Sequence, residues 1–232
     1  MIAVAGGKGG SGKTTTTLGL ARALSRRGAR TIAADADWDL PNLARLAAET
    51  ATDGGPADPD LPGGPEDETT VRDAVRGTVP VRPDRSEPIV LAAPDAPRSV
   101  DAFGALAALD GATPDGAPVL LDCPAGASAD AAAPLRAADR ALIATPLRRA
   151  ALRDAAKTAA IARRLDCPPI GAVAVGEASV PDSVATLLGC PVLGAVPDGG
   201  AEPLSDPAVR SAYDELARRL GETAAADGWQ IA

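Results

Sequence analysis

The run Gly7-Lys8-Gly9-Gly10-Ser11-Gly12-Lys13-Thr14 fits the pattern G-x-x-x-x-G-K-[ST]. It follows an apolar stretch, Ile2–Ala5, and leads directly into a helical pattern. In that setting the glycines let successive backbone N–H groups turn inward, and the N-terminus of the next helix adds positive potential. The loop is therefore expected to cradle the phosphates of a nucleotide. Lys13 would reach the β- and γ-phosphates, and the Thr14 hydroxyl is a ligand for Mg²⁺. The alternative is a flexible glycine turn, and the strand-loop-helix order argues against it. Lysine usage points the same way: only three of the 23 basic residues are lysine, and two of them, Lys8 and Lys13, lie in this loop. An ammonium is a compact point charge, unlike the planar guanidinium used almost everywhere else in the chain.

Two sets of carboxylates come next. Asp35, Asp37 and Asp39 follow a second apolar run, and Asp122 follows Val119–Leu121. A carboxylate at the C-terminal edge of a strand faces the phosphate site, where it can orient water, accept its proton or hold Mg²⁺. A solvated acidic turn is the other reading of the first set in a chain with 31 acidic residues. With no histidine, Ser-His-Asp and Cys-His catalysis are excluded, and proton chemistry falls to carboxylates or water. Cys123, Cys167 and Cys190 are far apart and odd in number, which predicts buried free thiols rather than a disulfide framework or metal cluster.

These groups need a scaffold. Apolar runs at Ile2–Ala5, Thr31–Ala34, Ile89–Ala92, Val119–Leu121, Ala141–Ala144, Ile170–Val175 and Val192–Val196 read as strands buried on both faces. Helical patterns run from Lys13 to Arg27, closed by Gly28; from Ala150 to Leu165, ended before Pro168; and from Pro207 to Leu220, closed by Gly221. Alternating strand and helix predict an α/β fold with a doubly wound, mostly parallel sheet. The length of 232 residues leaves one domain or two open, and the continuous alternation favours one domain over 1–232. The segment 50–70, crowded with Gly, Pro and acids, is expected to be a mobile surface loop. Aromatics are only 2% of the chain, so the core must be aliphatic and stacking platforms for nucleic acid are scarce. A net charge of -8 opposes a broad basic surface, which makes nucleic acid an unlikely partner. An acidic, lysine-poor surface of this kind suits a high-salt cytoplasm or a high-GC genome. No run approaches ~20 consecutive apolar residues, and the chain opens into a strand-like run, so a cytoplasmic protein is expected.

The loop with its second, early lysine, Lys8-Gly9-Gly10-Ser11-Gly12-Lys13-Thr14-Thr15, resembles the deviant phosphate-binding loop of the MinD/ParA family. Asp35-Ala36-Asp37 with Asn42-Leu43 is similar to that family's switch I, and Asp122-Cys123-Pro124-Ala125-Gly126 to its switch II. Leu135–Asp139, Ala144–Pro146, Leu152–Ala155 and Pro191–Asp198 follow the pattern too, so the resemblance covers nearly the whole chain. It implies a P-loop NTPase fold and an ATPase that dimerises with Mg-ATP, hydrolyses it slowly without a partner protein, and switches a cellular assembly. Lys8 would then cross to the other subunit's phosphates, with an intramolecular or solvated lysine as the alternative. Catalytic roles fall on Lys8, Lys13 and Asp37. Nucleotide contacts fall on Gly7, Gly9, Gly10, Ser11, Gly12, Lys13, Thr14, Thr15, Pro197 and Asp198, and Mg²⁺ on Thr14, Asp35 and Asp122.

The chain departs from the family where relatives read the base with V-x-N-R. It has Val173-Ala174-Val175-Gly176-Glu177 there, which leaves ATP against GTP open. The tail Ala224–Ala232 lacks the basic amphipathic helix of a membrane anchor, so no autonomous membrane binding is expected. Alternative readings are a nucleotide-binding scaffold with little hydrolysis and a ParA-like DNA partitioning ATPase.

Overall fold

The computed structural model describes residues 1–51, 69–77, 87–113, 116–126 and 129–229. Seven strands pair in the order β3-β2-β4-β1-β5-β6-β7, and every pairing is parallel. They are β1 (Ile2–Ala5), β2 (Ile32–Asp35), β3 (Ile89–Leu91), β4 (Val119–Asp122), β5 (Arg140–Thr145), β6 (Pro169–Val175) and β7 (Val192–Val196). All seven expected apolar runs are strands, because helices cover both faces and alternation in polarity is not required. The helices are α1 (Lys13–Arg26), α2 (Leu43–Glu49), α3 (Val71–Val75), α4 (Ala102–Ala112), α5 (Ala129–Ala137), α6 (Arg149–Arg164), α7 (Ser183–Leu188) and α8 (Pro207–Ala226).

Side chains on β1 divide by the period of two. Ala3 and Ala5 enter the core layer that also holds α3 to α7, whereas Ile2 and Val4 enter the layer with α1, α2 and α8. The third expected helix is longer than the sequence suggests. α8 continues through Gly221 to Ala226, and the positive-φ residue that follows it is Gly228, at φ 73°. Gly221 sits in the helix interior, where a glycine is tolerated at a cost of ~1 kcal/mol.

Most of the expected loop 50–70 lies outside the described residues, but its ends are structured. Thr50 caps the C-terminus of α2. Thr70 bridges Ala92 and forms a reciprocal capping box with Asp73 at the start of α3.

The strand order places the site. The chain leaves β1 for β2 on one side and later crosses to β5 on the other, so the loops after β1, β2 and β4 open at one C-terminal edge.

Candidate functional site

The loop between β1 and α1 holds its shape through close backbone approach. A Cβ on Gly7 would lie 2.2 Å from Asp154 Cβ, so the loop rests directly on α6. Gly12 adopts φ 81°, and a Cβ there would meet Val175 Cγ1 at 2.6 Å. Any side chain at either position forces the loop off its supports.

α1 begins, like α2, α4, α6 and α7, without a side-chain cap. α3 and α8 are capped by their own side chains: Asp73 and Thr70 serve α3, and Asp206 accepts from Ala208 N and Val209 N on α8. Gly12 has no side chain to cap α1, and the first turn of α1 holds no acid. Its N-terminal N–H groups are therefore left to an external acceptor.

Around that helix end lie groups with unspent capacity. Lys13 is 8% exposed and makes no ion pair among the described residues. Ser11 Oγ is buried without a hydrogen-bond partner. Asp122 lies near enough to interact with Lys13 electrostatically but forms no ion pair with it, and a phosphate chain would supply a close negative charge and acceptors. Gly9 and Gly10, also in this loop, would meet nothing within 4 Å if given a Cβ, so the mouth of the cradle is open there.

Two carboxylates stand beside it. Asp35 and Asp122 end adjacent strands in direct register, and both are 1% exposed. Burial pushes the Asp122 carboxyl up to about 7, with Asp35 adding to the rise and a hydrogen bond from Thr14 opposing it. The Thr17 hydroxyl donates to Lys13 O at 3.0 Å and reaches Asp122 Oδ1 at 3.4 Å. Thr14 and Asp122 thus form a hydroxyl-carboxylate pair facing the loop. Together with phosphate oxygens, that is the donor set on which Mg²⁺ is commonly held.

Burial raises Asp35 less, to about 6, because three backbone hydrogen bonds oppose it. Its Oδ1 accepts from Asp37 N, and its Oδ2 from Asn42 N and Leu43 N, all at 3.0 Å. Asp35 therefore ties the segment 37–43 to the sheet as well as facing Asp122. Asp37 is half-buried and accepts from Leu40 N at 3.3 Å. Trp38 fixes the bend by donating from Nε1 to Asp35 O at 2.9 Å.

Lys8 lies on the outer wall, 54% exposed, with Nζ 3.9 Å from Asp154 Oδ2 on α6. A half-exposed pair at that distance contributes at most ~1 kcal/mol and restrains the lysine weakly. Thr15 continues α1 one residue beyond Thr14. Pro197 and Asp198 follow β7, separated from β1 by β5 and β6, and Asp198 Oδ1 accepts from Gly200 N at 3.0 Å. Beside them, Gly176 N and Glu177 N both donate to Val196 O.

The sequence pattern assigns no role to Thr17, Asp154 or Glu177. Thr17 had a signal, being one helical turn after Lys13. Asp154 stands out as the lone acid of α6, among basic and small residues. The three cysteines are buried free thiols, and burial drives Cys123 well above the ordinary thiol range and Cys167 to about 12. They pack the core and stay unreactive.

Residues 2–201 match the CbiA family, described as the CobQ/CobB/MinD/ParA nucleotide binding domain. The chain belongs to this family. It is 35% identical over 158 residues to the septum site-determining protein MinD of Synechocystis sp., a stretch that covers 67% of the chain and 56% of that relative. The match thus spans little more than half of the relative's length. Among solved structures, the Pyrococcus furiosus cell division ATPase MinD is similar at TM-score 0.75 and 23% identity, over 95% of this chain and 98% of that one. MinD from Pyrococcus horikoshii, complexed with Mg-ADP, gives 0.76 at 20% identity over 96% of each chain. Cobyrinic acid a,c-diamide synthase from Mycobacterium smegmatis, with ADP and magnesium, gives 0.60 at 23%, over 94% of this chain and 91% of that one. These likenesses fix the fold as the MinD type of P-loop NTPase. No helix among the described residues is long and apolar enough to cross a membrane.

Proposed function

We propose that the protein binds Mg-ATP, hydrolyses it to ADP and phosphate, and uses the ATP-bound state to hold two copies together as a switch in positioning or partitioning a cellular assembly. The observation that carries this reading is the buried, unpaired Lys13 at the uncapped start of α1, beside the buried Asp122. The nucleotide-bound states of the P. horikoshii and M. smegmatis relatives agree with it.

In this account the loop amides 7–14 and Lys13 bind the β- and γ-phosphates, and Ser11 Oγ finds its acceptor there. Thr15 holds the α-phosphate, while Pro197 and Asp198 border the base. Thr14 and Asp122 would hold Mg²⁺ with Asp35 behind them, and the ion would supply charge neutralisation at the phosphate oxygens. Asp37 orients a water whose oxygen attacks the γ-phosphorus as the bond to the β-γ bridging oxygen breaks. The water's proton passes to the Asp37 carboxylate or to a phosphate oxygen. Lys8 leaves Asp154 to contact phosphates of the second copy. The existence of a MinC:MinD complex from Aquifex aeolicus supports a protein partner that reads the ATP state.

The test is phosphate release and nucleotide binding in wild type, Lys13→Ala and Asp37→Ala. Lys13→Ala should lose binding, and Asp37→Ala should keep binding and lose turnover by about 100-fold or more. Unchanged turnover in Asp37→Ala would leave a nucleotide-binding scaffold as the function. One observation favours measuring GTP in parallel. The stretch Val173–Glu177 lacks the asparagine with which the family reads the base, and Glu177 Oε1 there accepts from Leu147 N at 3.4 Å.

A further inference from the structure

α1 and α8 pack together on one face of the sheet, and beside their crossing lies a cavity of about 180 Å³. That is room for about a dozen waters. A Cβ on Gly19 would lie 2.4 Å from the Tyr213 ring, so the helices touch there, and Tyr213 and Leu204 make the apolar side of the cavity. The rest of the wall is Arg22 and Arg26 from α1, Arg210 from α8, and Glu87. Arg22 and Arg26 stand well beyond Lys13 in the sequence, about 14 and 20 Å farther along the helix axis, so this cavity is separate from the phosphate loop.

In a chain of net charge -8, three guanidiniums converge on this one cavity. Contacts that hold the fold account for part of that charge only. Arg22 is buried, and it donates to Glu87 Oε2 at 3.0 Å, Thr50 Oγ1 at 2.9 Å and Ala47 O at 3.4 Å, which ties α1 to α2 and to the residues before β3. Arg26 joins α1 to α8 by donating from Nε and Nη2 to Asp214 Oδ1, at 3.1 and 2.6 Å, and its Nη1 makes no hydrogen bond among the described residues. Arg210 has no such account. It stands near the N-terminal end of α8, where the helix dipole disfavours cations, and its guanidinium makes no ion pair among the described residues. Even with Asp214 counted beside Glu87, positive charge exceeds negative around the cavity, and the unspent donors belong to Arg26 and Arg210.

We propose that the cavity between α1 and α8 is a second anion site, and that it binds inorganic phosphate as the hydrogen phosphate dianion. The phosphate oxygens accept from the Arg210 guanidinium and from the free Nη1 of Arg26, and Arg22 adds its charge from behind its pair with Glu87. Glu87 selects among anions. Its Oε2 is held by Arg22, and its Oε1 receives no hydrogen bond among the described residues. Hydrogen phosphate keeps one O–H that donates to that oxygen, whereas sulfate and the dianion of a phosphate monoester have no such proton and meet the carboxylate as like charges. A whole nucleotide is far larger than about a dozen waters, so the volume excludes it.

The test is equilibrium dialysis of radiolabelled inorganic phosphate at constant ionic strength, with the phosphate loop filled by Mg²⁺ and the β,γ-imido analogue of ATP. Wild type should bind one phosphate per chain with a dissociation constant of about 1 mM or lower. Arg210→Gln should weaken that binding by about tenfold or more, with melting temperature and analogue binding unchanged, because Arg210 is exposed and unpaired. Arg136→Gln, the same change of charge on α5 across the sheet, should leave phosphate binding as in wild type. Sulfate and glycerol 3-phosphate should compete at least about fivefold more weakly than unlabelled phosphate. The Arg210→Gln comparison reads the cavity whether or not the analogue binds, so its outcome is independent of the proposed ATPase. No phosphate binding, binding that survives Arg210→Gln, or an equal loss in Arg136→Gln overturns the proposal. Competition by sulfate or the ester as strong as that of phosphate would leave an adventitious ion only, and also overturns it.

Discussion

Asp122→Asn should stabilise the nucleotide-free protein while damaging its function. Asp122 is 1% exposed, and burial lifts its carboxyl from the usual 3.8 to about 7, with Asp35 across the strand pair adding to the rise. The folded state therefore holds a proton that the unfolded chain releases at lower pH. The stability tied to that proton is fully present below about 3.8 and is lost as pH rises through about 7. Every tenfold gain in proton affinity on folding corresponds to ~1.4 kcal/mol, so the full effect at pH 8 is on the order of 4 kcal/mol. Asp35 shares the ionisation, and half of that, ~2 kcal/mol, is a conservative expectation for one substitution. Asparagine fills the same volume, keeps partners for Thr14 and Thr17, and never ionises. In a chain of this size ~2 kcal/mol raises the melting temperature by about 4–8 °C. The assay is thermal melting in EDTA without nucleotide at pH 4.5 and pH 8. Asp122→Asn should exceed wild type clearly at pH 8 and by much less at pH 4.5, and should lose the Mg²⁺-dependent gain that nucleotide gives wild type. An equal or lower melting temperature for the variant at pH 8 would refute the view that this carboxylate is held in place for a cation.

Asp35→Ala removes the acceptor for three N–H groups, so amides 37, 42 and 43 should exchange at least about tenfold faster without global unfolding, as read by hydrogen exchange. Gly19→Ala puts a methyl 2.4 Å from the Tyr213 ring where α1 crosses α8, and should cost about 1–3 kcal/mol in urea melts. Tyr213→Phe gives up only a 3.5 Å hydroxyl contact to Thr16 and should cost under about 1 kcal/mol in the same assay. If the acidic, lysine-poor surface reflects a salt-rich cytoplasm, the melting temperature should rise in molar KCl; a fall would attribute the composition to the genome alone.

The strands were legible because a parallel sheet covered on both faces writes itself as short aliphatic runs between turn signals, and β1 to β7 all do so. The phosphate loop was legible for a related reason: its chemistry is carried by the backbone, so the glycine spacing is the site. Helices α2, α4, α5 and α7 are not legible in this way. α4 and α5 are alanine-rich, with weak contrast between their faces, and α2 and α7 are short enough that the sheet, rather than propensity, makes them helical. Gly221 is a false end for α8, since glycine is a stop signal only in the left-handed conformation that Gly228 adopts. Asp35 illustrates what one sequence cannot carry. Its place among the acids was visible, but its grip on 37–43 depends on a bend that Trp38 closes from a distance of three residues. The Lys8–Asp154 contact joins positions 146 residues apart in sequence, and no local pattern announces it.

In the proposed switch, ATP joins two copies through Lys8. The direct measurement is the solution mass of wild type and Lys8→Ala with Mg-ATP, with Mg-ADP and without nucleotide, under conditions where binding is verified. A dimer confined to wild type with Mg-ATP, and monomers otherwise, is the predicted result. A wild type that stays monomeric with ATP bound, or a Lys8→Ala protein that dimerises as well as wild type, contradicts the account.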